Sequence, residues 1–266
     1  TKLLFKKNFI MRIYLLKLLL LGFLVTSTGI LKAQKRGIKI SENLAANSRP
    51  LKVKMGTQWM GKIWKFKFGD YAVVDSKMGW TKTSSKINLL NTKTESKTTQ
   101  KFAFTLCNKT GDSAKVNAAI DIEIKALREA ELFPYLFVGE NNILLNACNF
   151  TAFINLNQDT TETWSLLMNI TSGSNIEDGG YAFLTNGRRK IFINSVSSNK
   201  NGSDSRILPA LGYEFVEKDK PVCALQYYGG GTFGMNKNIV WIHDKLDSKM
   251  KLILATAMTS LLQLEN

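Results

Sequence analysis

The amino-acid sequence predicts a mainly β protein, in which an antiparallel, barrel-like sheet surrounds a hydrophobic C-terminal helix and a signal peptide precedes both. Residues 63–68 alternate apolar and lysine side chains with a period of two, which is typical of a strand with one buried face. Turn-forming pairs such as Asn186-Gly187 separate segments of this kind. Residues 250–264 are apolar on nearly every side of a helix, so that helix must be buried all round.

The strand signals begin at residues 63–68, where Trp64, Phe66 and Phe68 share one face. Residues 116–124 follow the same pattern, with Ile120, Ile122 and Ile124 inward and Asp121 and Glu123 outward. Further strands are predicted at residues 71–74, 102–107, 150–156, 164–170, 181–185, 190–194, 213–216, 222–227 and 239–242.

Two segments between these strands lack the pattern. Residues 83–101 are rich in Ser, Thr, Lys and Asn, which favours a long loop or a mobile strand edge. Residues 126–133 predict a short helix that Pro134 ends.

The C-terminal helix is predicted over residues 248–264, with Asp247 as its N-cap. At about 1.5 Å per residue, the apolar stretch 250–264 spans about 22 Å, which is too short to cross a bilayer comfortably. The interior of a protein is its simplest location. Strands that wrap such a helix would form a closed or nearly closed barrel, which also removes exposed strand edges.

The N-terminal part has the layout of a secretory signal peptide. We exclude residues 1–10, which precede Met11, and we expect cleavage after Ala33, at the end of an apolar run over residues 18–31. A retained membrane anchor is the alternative, but residues 26–29 (TSTG) interrupt the apolar run. The predicted organisation is therefore a leader over residues 1–33, a flexible basic lead-in over 34–54 and a single β-rich domain over 55–266.

Positive charge is concentrated at the front of the predicted mature chain. Residues 34–101 contain fifteen Lys or Arg and four acidic residues, whereas residues 102–266 contain fifteen and seventeen. This asymmetry favours contact with an anionic lipid or glycan surface, and export makes nucleic acid a poor candidate. A solvated basic face or a solubilising turn is the alternative. The candidate surface-binding residues are Lys62, Lys65, Lys67, Arg188, Arg189 and Lys190.

Catalytic and metal-binding signals are few. His243 is the only histidine, so a histidine-dependent mechanism would have to use it, although a structural role is the favoured interpretation. Asp121 and Glu123 have the composition of a glycosidase pair, but a solvent-facing strand explains both. Cys107, Cys148 and Cys223 allow one internal disulfide at most and form no Cys-x-x-Cys pair. The sequence predicts no cofactor and no metal.

The segment from Ile242 to Leu262 (IHDKLDSKMKLILATAMTSLL) resembles the end of the phospholipid scramblases and their tubby-like relatives. There, a last strand leads into a hydrophobic helix. Residues 65–74 are similar in style to an opening strand pair of the same superfamily. The resemblance implies a twelve-stranded antiparallel barrel filled by the helix. Tubby domains bind phosphoinositides, but this sequence has no acidic calcium loop and no cysteine-rich palmitoylation tract.

These observations favour an exported, non-enzymatic cell-envelope protein that binds an anionic surface through its basic N-terminal half. Two alternatives stay open from the sequence. One is an envelope-directed hydrolase that uses His243 or the acidic pair, and the other is a structural or interaction module without a small ligand. The fold by itself decides between none of them.

Overall fold

The computed structural model describes residues 37–56, 62–87, 93–127, 130–133, 136–138, 142–159, 161–172, 179–198, 209–231 and 236–265. The predicted signal peptide at residues 1–33 lies outside the described residues. The predicted cleavage site between Ala33 and Gln34 also lies outside them.

The described chain contains two helices and sixteen strands. The helices are α1 (Glu42–Ala46) and α2 (Ser248–Glu265). The strands are β1 (Leu51–Lys52), β2 (Lys54–Met55), β3 (Phe66–Phe68), β4 (Tyr71–Met78), β5 (Lys82–Ile87), β6 (Lys93–Cys107), β7 (Ser113–Leu127), β8 (Ala130–Phe133), β9 (Leu136–Val138), β10 (Asn142–Leu156), β11 (Thr163–Ser172), β12 (Gly179–Thr185), β13 (Lys190–Ser197), β14 (Leu211–Glu217), β15 (Lys220–Tyr228) and β16 (Ile239–Ile242).

Fourteen of these strands form one antiparallel sheet, which curls into a nearly closed barrel. Its hydrogen-bonded path runs β1-β16-β15-β14-β13-β12-β11-β10-β7-β6-β4-β3-β2, and β5 pairs with β6 beside this path. The two ends of the path, β1 and β2, are consecutive in the chain. β1 pairs with β16, and β2 pairs with β3.

The segment of residues 51–56 therefore links the two ends of the sheet. The Val53 N–H between β1 and β2 donates to the Asn238 carbonyl at 3.0 Å, and the Gly56 N–H donates to the Lys65 carbonyl at 2.9 Å. When β1 and β2 are taken as one interrupted strand, the circuit has twelve positions. Closure of this kind leaves few unpaired strand edges.

The core lies between the inner face of the sheet and α2. The Asp247 carboxylate caps α2 by accepting the Met250 N–H at 2.7 Å, as predicted. Twelve residues of α2 are buried, which confirms the predicted enclosure of this helix. The helix also buries three hydroxyl side chains, those of Thr256, Thr259 and Ser260. The core tolerates them because each hydroxyl donates to the carbonyl four residues earlier.

Two predictions for the middle of the chain were wrong. The loop favoured for residues 83–101 is wrong, because 83–87 belong to β5 and 93–101 to β6, which pair in a hairpin, and the alternative of a strand edge is closer to the structure. The predicted helix at residues 126–133 is also wrong, because 126–127 end β7 and 130–133 form β8. Polar side chains hid the hairpin, because every residue of β5 is exposed and no apolar alternation is needed there.

Strand β7 confirms the inward position of Ile120, which is buried, but Ile124 is 40% exposed. The inner-facing side of β7 is thus less covered towards Leu127. The reason is length, because β6, β7 and β10 each have fifteen residues. These strands extend beyond the part of the barrel that is filled with apolar side chains.

The hairpin at Asn186-Gly187 exists, but only Gly187 has a positive φ (+85°), whereas the type I′ turn typical of this dipeptide needs positive φ at both residues. The Asn186 side chain accepts the N–H groups of Arg188 and Arg189 instead. At the N-terminal side, where the sequence suggested a flexible lead-in over residues 34–54, residues 37–54 include α1, with Leu44 fully buried, and β1.

We expect the substitution Leu254→Ala to lower the free energy of unfolding by roughly 2–5 kcal/mol, because it leaves a cavity beside a helix with no solvent-facing side at that position. Urea denaturation measures this change. Leu264→Ala, at a half-buried position in the last turn, is the control and should have a smaller effect. Equal effects at the two positions would contradict the enclosure of α2.

Candidate functional site

Exposed lysines cover the outer side of the segment that links the ends of the barrel. Phe66 and Phe68 of β3 point into the core and are almost completely buried, so Lys65 and Lys67 at the alternate positions are exposed. Lys52 of β1 and Lys54 of β2 are also exposed, and Lys54 lies directly opposite Lys67 in the antiparallel register. We call Lys52, Lys54, Lys62, Lys65 and Lys67 the lysine face.

The lysine face has little compensating negative charge. Residues 37–68 contain seven basic residues and one acidic residue, Glu42. Within the described parts of the chain, no lysine of this face forms a salt bridge, whereas the nearby Asp70 pairs with Lys109. Like charges directly opposite each other on neighbouring strands are destabilising. The Lys54–Lys67 pair therefore carries an energetic cost that a bound anion would reduce.

The basic tip of the β12–β13 hairpin is a different kind of site. The Arg189 guanidinium donates two hydrogen bonds, both 2.7 Å long, to the Glu217 carboxylate and lies 5.7 Å from the centre of the Trp164 ring. Its charge is therefore engaged within the fold. Arg188 is exposed at the tip.

Lys190 packs its Nζ atom over the rings of Phe183 and Phe192, at 4.1 and 4.8 Å. Strands β14, β15 and β16 separate this hairpin from the lysine face along the sheet. The six predicted binding residues do not form one site.

The start of α2 is held by a charged cluster that sequence reasoning missed. Lys249 Nζ donates to Asp159 at 2.8 Å and also to Glu162, both in the β10–β11 connection. Hydrogen bonds from Lys249 and Thr161 lower the pKa of Asp159 to about 2, and a hydrogen bond from Lys249 also lowers the pKa of Glu162. No local pattern indicates this cluster, because its partners lie 87 and 90 residues from Lys249.

The candidate catalytic residues make structural contacts. His243 is half-buried, its N–H donates to the Val222 carbonyl at 3.0 Å, and its Nδ1 accepts the Lys245 N–H at 3.2 Å. Asp121 accepts a 2.6 Å hydrogen bond from the Thr99 hydroxyl. Glu123 pairs with Lys125 of its own strand at 3.2 Å. These contacts position a turn and an outer strand face, and they favour no catalytic arrangement.

The cysteine and tryptophan side chains are distributed over the molecule. Cys107, Cys148 and Cys223 are all free thiols. Trp80 is 93% exposed, whereas Trp164 is buried in the core, and Trp59 lies outside the described residues. Among the residues that the structure describes, no group of His, Cys, Asp and Glu side chains has the arrangement of a metal site.

Comparison with known proteins gives no assignment: no protein-family model, no curated protein and no solved structure matches the chain. Within the described part of the chain, no helix combines the length and apolar character needed to cross a membrane.

We expect Lys249→Met to return the pKa of Asp159 from about 2 towards its ordinary value of 3.8. A carboxyl whose pKa is lowered by folding contributes stability above its unfolded pKa, and this contribution is lost as the pH falls through the folded pKa. The variant should therefore show a weaker loss of stability between about pH 4 and pH 2 than the wild type. Carboxyl carbon NMR titration measures the pKa directly.

Lys251→Met is the matched control, because Lys251 Nζ donates to the main-chain carbonyl of Asp244 and not to a carboxylate. Its titration curve for Asp159 should match that of the wild type. If Asp159 still titrates near pH 2 in the Lys249→Met protein, Lys249 does not hold this carboxylate.

Proposed function

We propose that the protein is an exported, non-enzymatic component of a bacterial cell envelope that binds an anionic membrane surface through the lysine face. The observation that carries the proposal is the set of five exposed lysines at the barrel seam, the place where residues 51–56 and β3 join the two ends of the sheet. Lys54 and Lys67 lie opposite each other there, and the five lysines have no acidic partner among the described residues. The secretory layout of residues 11–33 supports the proposed export.

The expected binding energy follows from the charge of this face. A lysine close to an anionic leaflet contributes about 1 kcal/mol, so several lysines on one rigid surface give useful affinity without a pocket. The attraction decays over about 8 Å at physiological ionic strength. Short strands fixed in the barrel wall suit this mode, because their lysines are presented together without loss of backbone freedom on binding.

A tubby-like relationship is a second part of the proposal. It rests on the resemblance of residues 242–262, and two features support it: α2 is enclosed by the sheet, and the strand circuit has twelve positions. Phosphoinositide binding does not follow from a fold relationship, since function depends on the residues of a site. The lysine face is therefore the part of the proposal to test first.

We expect the triple variant Lys54→Glu, Lys65→Glu, Lys67→Glu to lose roughly 100-fold or more in affinity for vesicles that contain phosphatidylglycerol, from about 1 kcal/mol for each lost lysine. Wild-type binding should fall as salt is added and should be absent with phosphatidylcholine alone. Vesicle co-sedimentation measures both effects.

The matched control replaces Lys115, Lys220 and Lys245 by Glu, which changes the net charge equally at exposed positions elsewhere. This protein should keep most of its affinity. If both triple variants lose the same affinity for the vesicles, binding depends on net charge alone. That result would contradict binding through the lysine face. If the wild type binds an acidic polysaccharide in a salt-sensitive way but does not bind the vesicles, the binding partner is a glycan surface and not a membrane.

A further inference from the structure

The barrel wall opens between β12 and β13. These strands pair only through Phe183↔Phe192, Leu184↔Ile191 and Thr185↔Lys190, although β12 begins at Gly179 and β13 continues to Ser197. β12 stays paired with β11 down to Gly179, and β13 stays paired with β14 up to Ser197. The facing edges of residues 180–182 and 193–195 are therefore unpaired with each other.

Gly180 lies on the unpaired edge of β12. A Cβ atom at this position would lie 2.3 Å from the Asn169 carbonyl oxygen, a distance that no side chain tolerates. The main chain of β12 therefore passes close to the Asn169 carbonyl of β11 at this point. Glycine is required here for the close approach.

Two adjoining cavities of about 390 and 590 Å³ occupy the opening. Both are lined by Gly180, Tyr181, Ala182, Ile193 and Asn194. The first cavity reaches the buried residues Met168 and Tyr213, and it is also lined by the exposed Ile170 and by the polar residues Asn169 and Ser195. The second continues over the outer surface to Leu167, Phe183, Lys190 and Phe192. We call this connected space the wall cleft.

The lining of the wall cleft is mainly apolar and unusually exposed. Ile170 is 47% exposed, Tyr181 56% and Phe192 50%. Large apolar side chains grouped on the surface of a monomer mark binding sites, and both cavities fall within the usual volume range of ligand pockets. The Tyr213 hydroxyl donates to Glu265 at 2.6 Å, so its polar group is already engaged. The buried side chains of Met168 and Ile193 therefore offer apolar contact on the inner side of the opening, whereas the unpaired main-chain groups of residues 180–182 and 193–195 need polar partners.

Charge occurs at one place in the wall cleft. Among the described residues that line the two cavities, Lys190 is the only charged one, and it lies at the outer surface against Phe183 and Phe192. A cation at the rim of an apolar cavity complements a ligand with an anionic end and a long apolar part.

We propose that the wall cleft binds a single-chain amphiphile with an anionic head group. The hydrocarbon chain packs against Met168, Ala182 and Ile193, while the anionic head group lies between the strand edges, accepts hydrogen bonds from their unpaired N–H groups and pairs with Lys190 at the outer rim. The site shares no residue with the lysine face, so it is independent of the proposed membrane binding.

The test is calorimetric titration of the full-length protein with decanoate, dodecanoate and dodecanol below their solubility or micelle limits. We expect saturable binding, with dodecanoate about 15-fold tighter than decanoate because each of its two additional methylenes contributes about fourfold. Lys190→Gln should weaken dodecanoate roughly fivefold and leave dodecanol unchanged. Asn194→Trp, at an exposed position that lines both cavities, should abolish binding of all three.

Asn117→Trp, at an exposed position on β7, is the matched control and should bind like the wild type. Ala182→Trp blocks the cleft from the half-buried side, and thermal melting identifies any loss of fold in either blocking variant. Non-saturable binding, or unchanged dodecanoate affinity in a folded Asn194→Trp protein, would overturn the proposal. The triple glutamate variant of the lysine face should bind dodecanoate normally, which separates this proposal from membrane binding.

Discussion

Burial of α2 on every side is the constraint on which the rest of the structure depends. A helix without a polar face must be covered all round, and a single antiparallel sheet achieves this by curling until its two ends meet. The apolar alternation of the strands, the closing segment of residues 51–56 and the cap at Asp247 all serve this enclosure. The interior is then filled by the chain itself, which leaves the outer face and the wall as places for function.

The two proposed sites lie where the wall is least regular. At the seam, β1, β2 and β3 are only two or three residues long, and lysines occupy their outer positions. Between β12 and β13, only three residue pairs join the strands, and the other residues of the two strands are not paired with each other. Irregular pairing of this kind costs stability in a barrel, since unpaired main-chain groups must find other partners. Such costs are common at functional sites.

The parts of the fold that sequence reasoning found are those with a local signal. Alternation in residues 63–68 and full apolarity in residues 250–264 need no knowledge of distant partners. The β5–β6 hairpin was missed because its side chains are polar on both faces. The Lys249 cluster and the wall cleft were missed because they depend on residues far apart in the chain and on how two strands separate. Lysine side chains were placed correctly on the surface, but their grouping was not predictable.

The position of α2 at the end of the described chain has a consequence for synthesis. Every strand of the sheet leaves the ribosome before the helix that fills it, so the nascent polypeptide lacks its central packing until α2 has been synthesised. Closure of the barrel is a further late step, because β1 pairs with β16 and these two strands are far apart in the sequence. The core of such a chain therefore forms late, once its last element has been made.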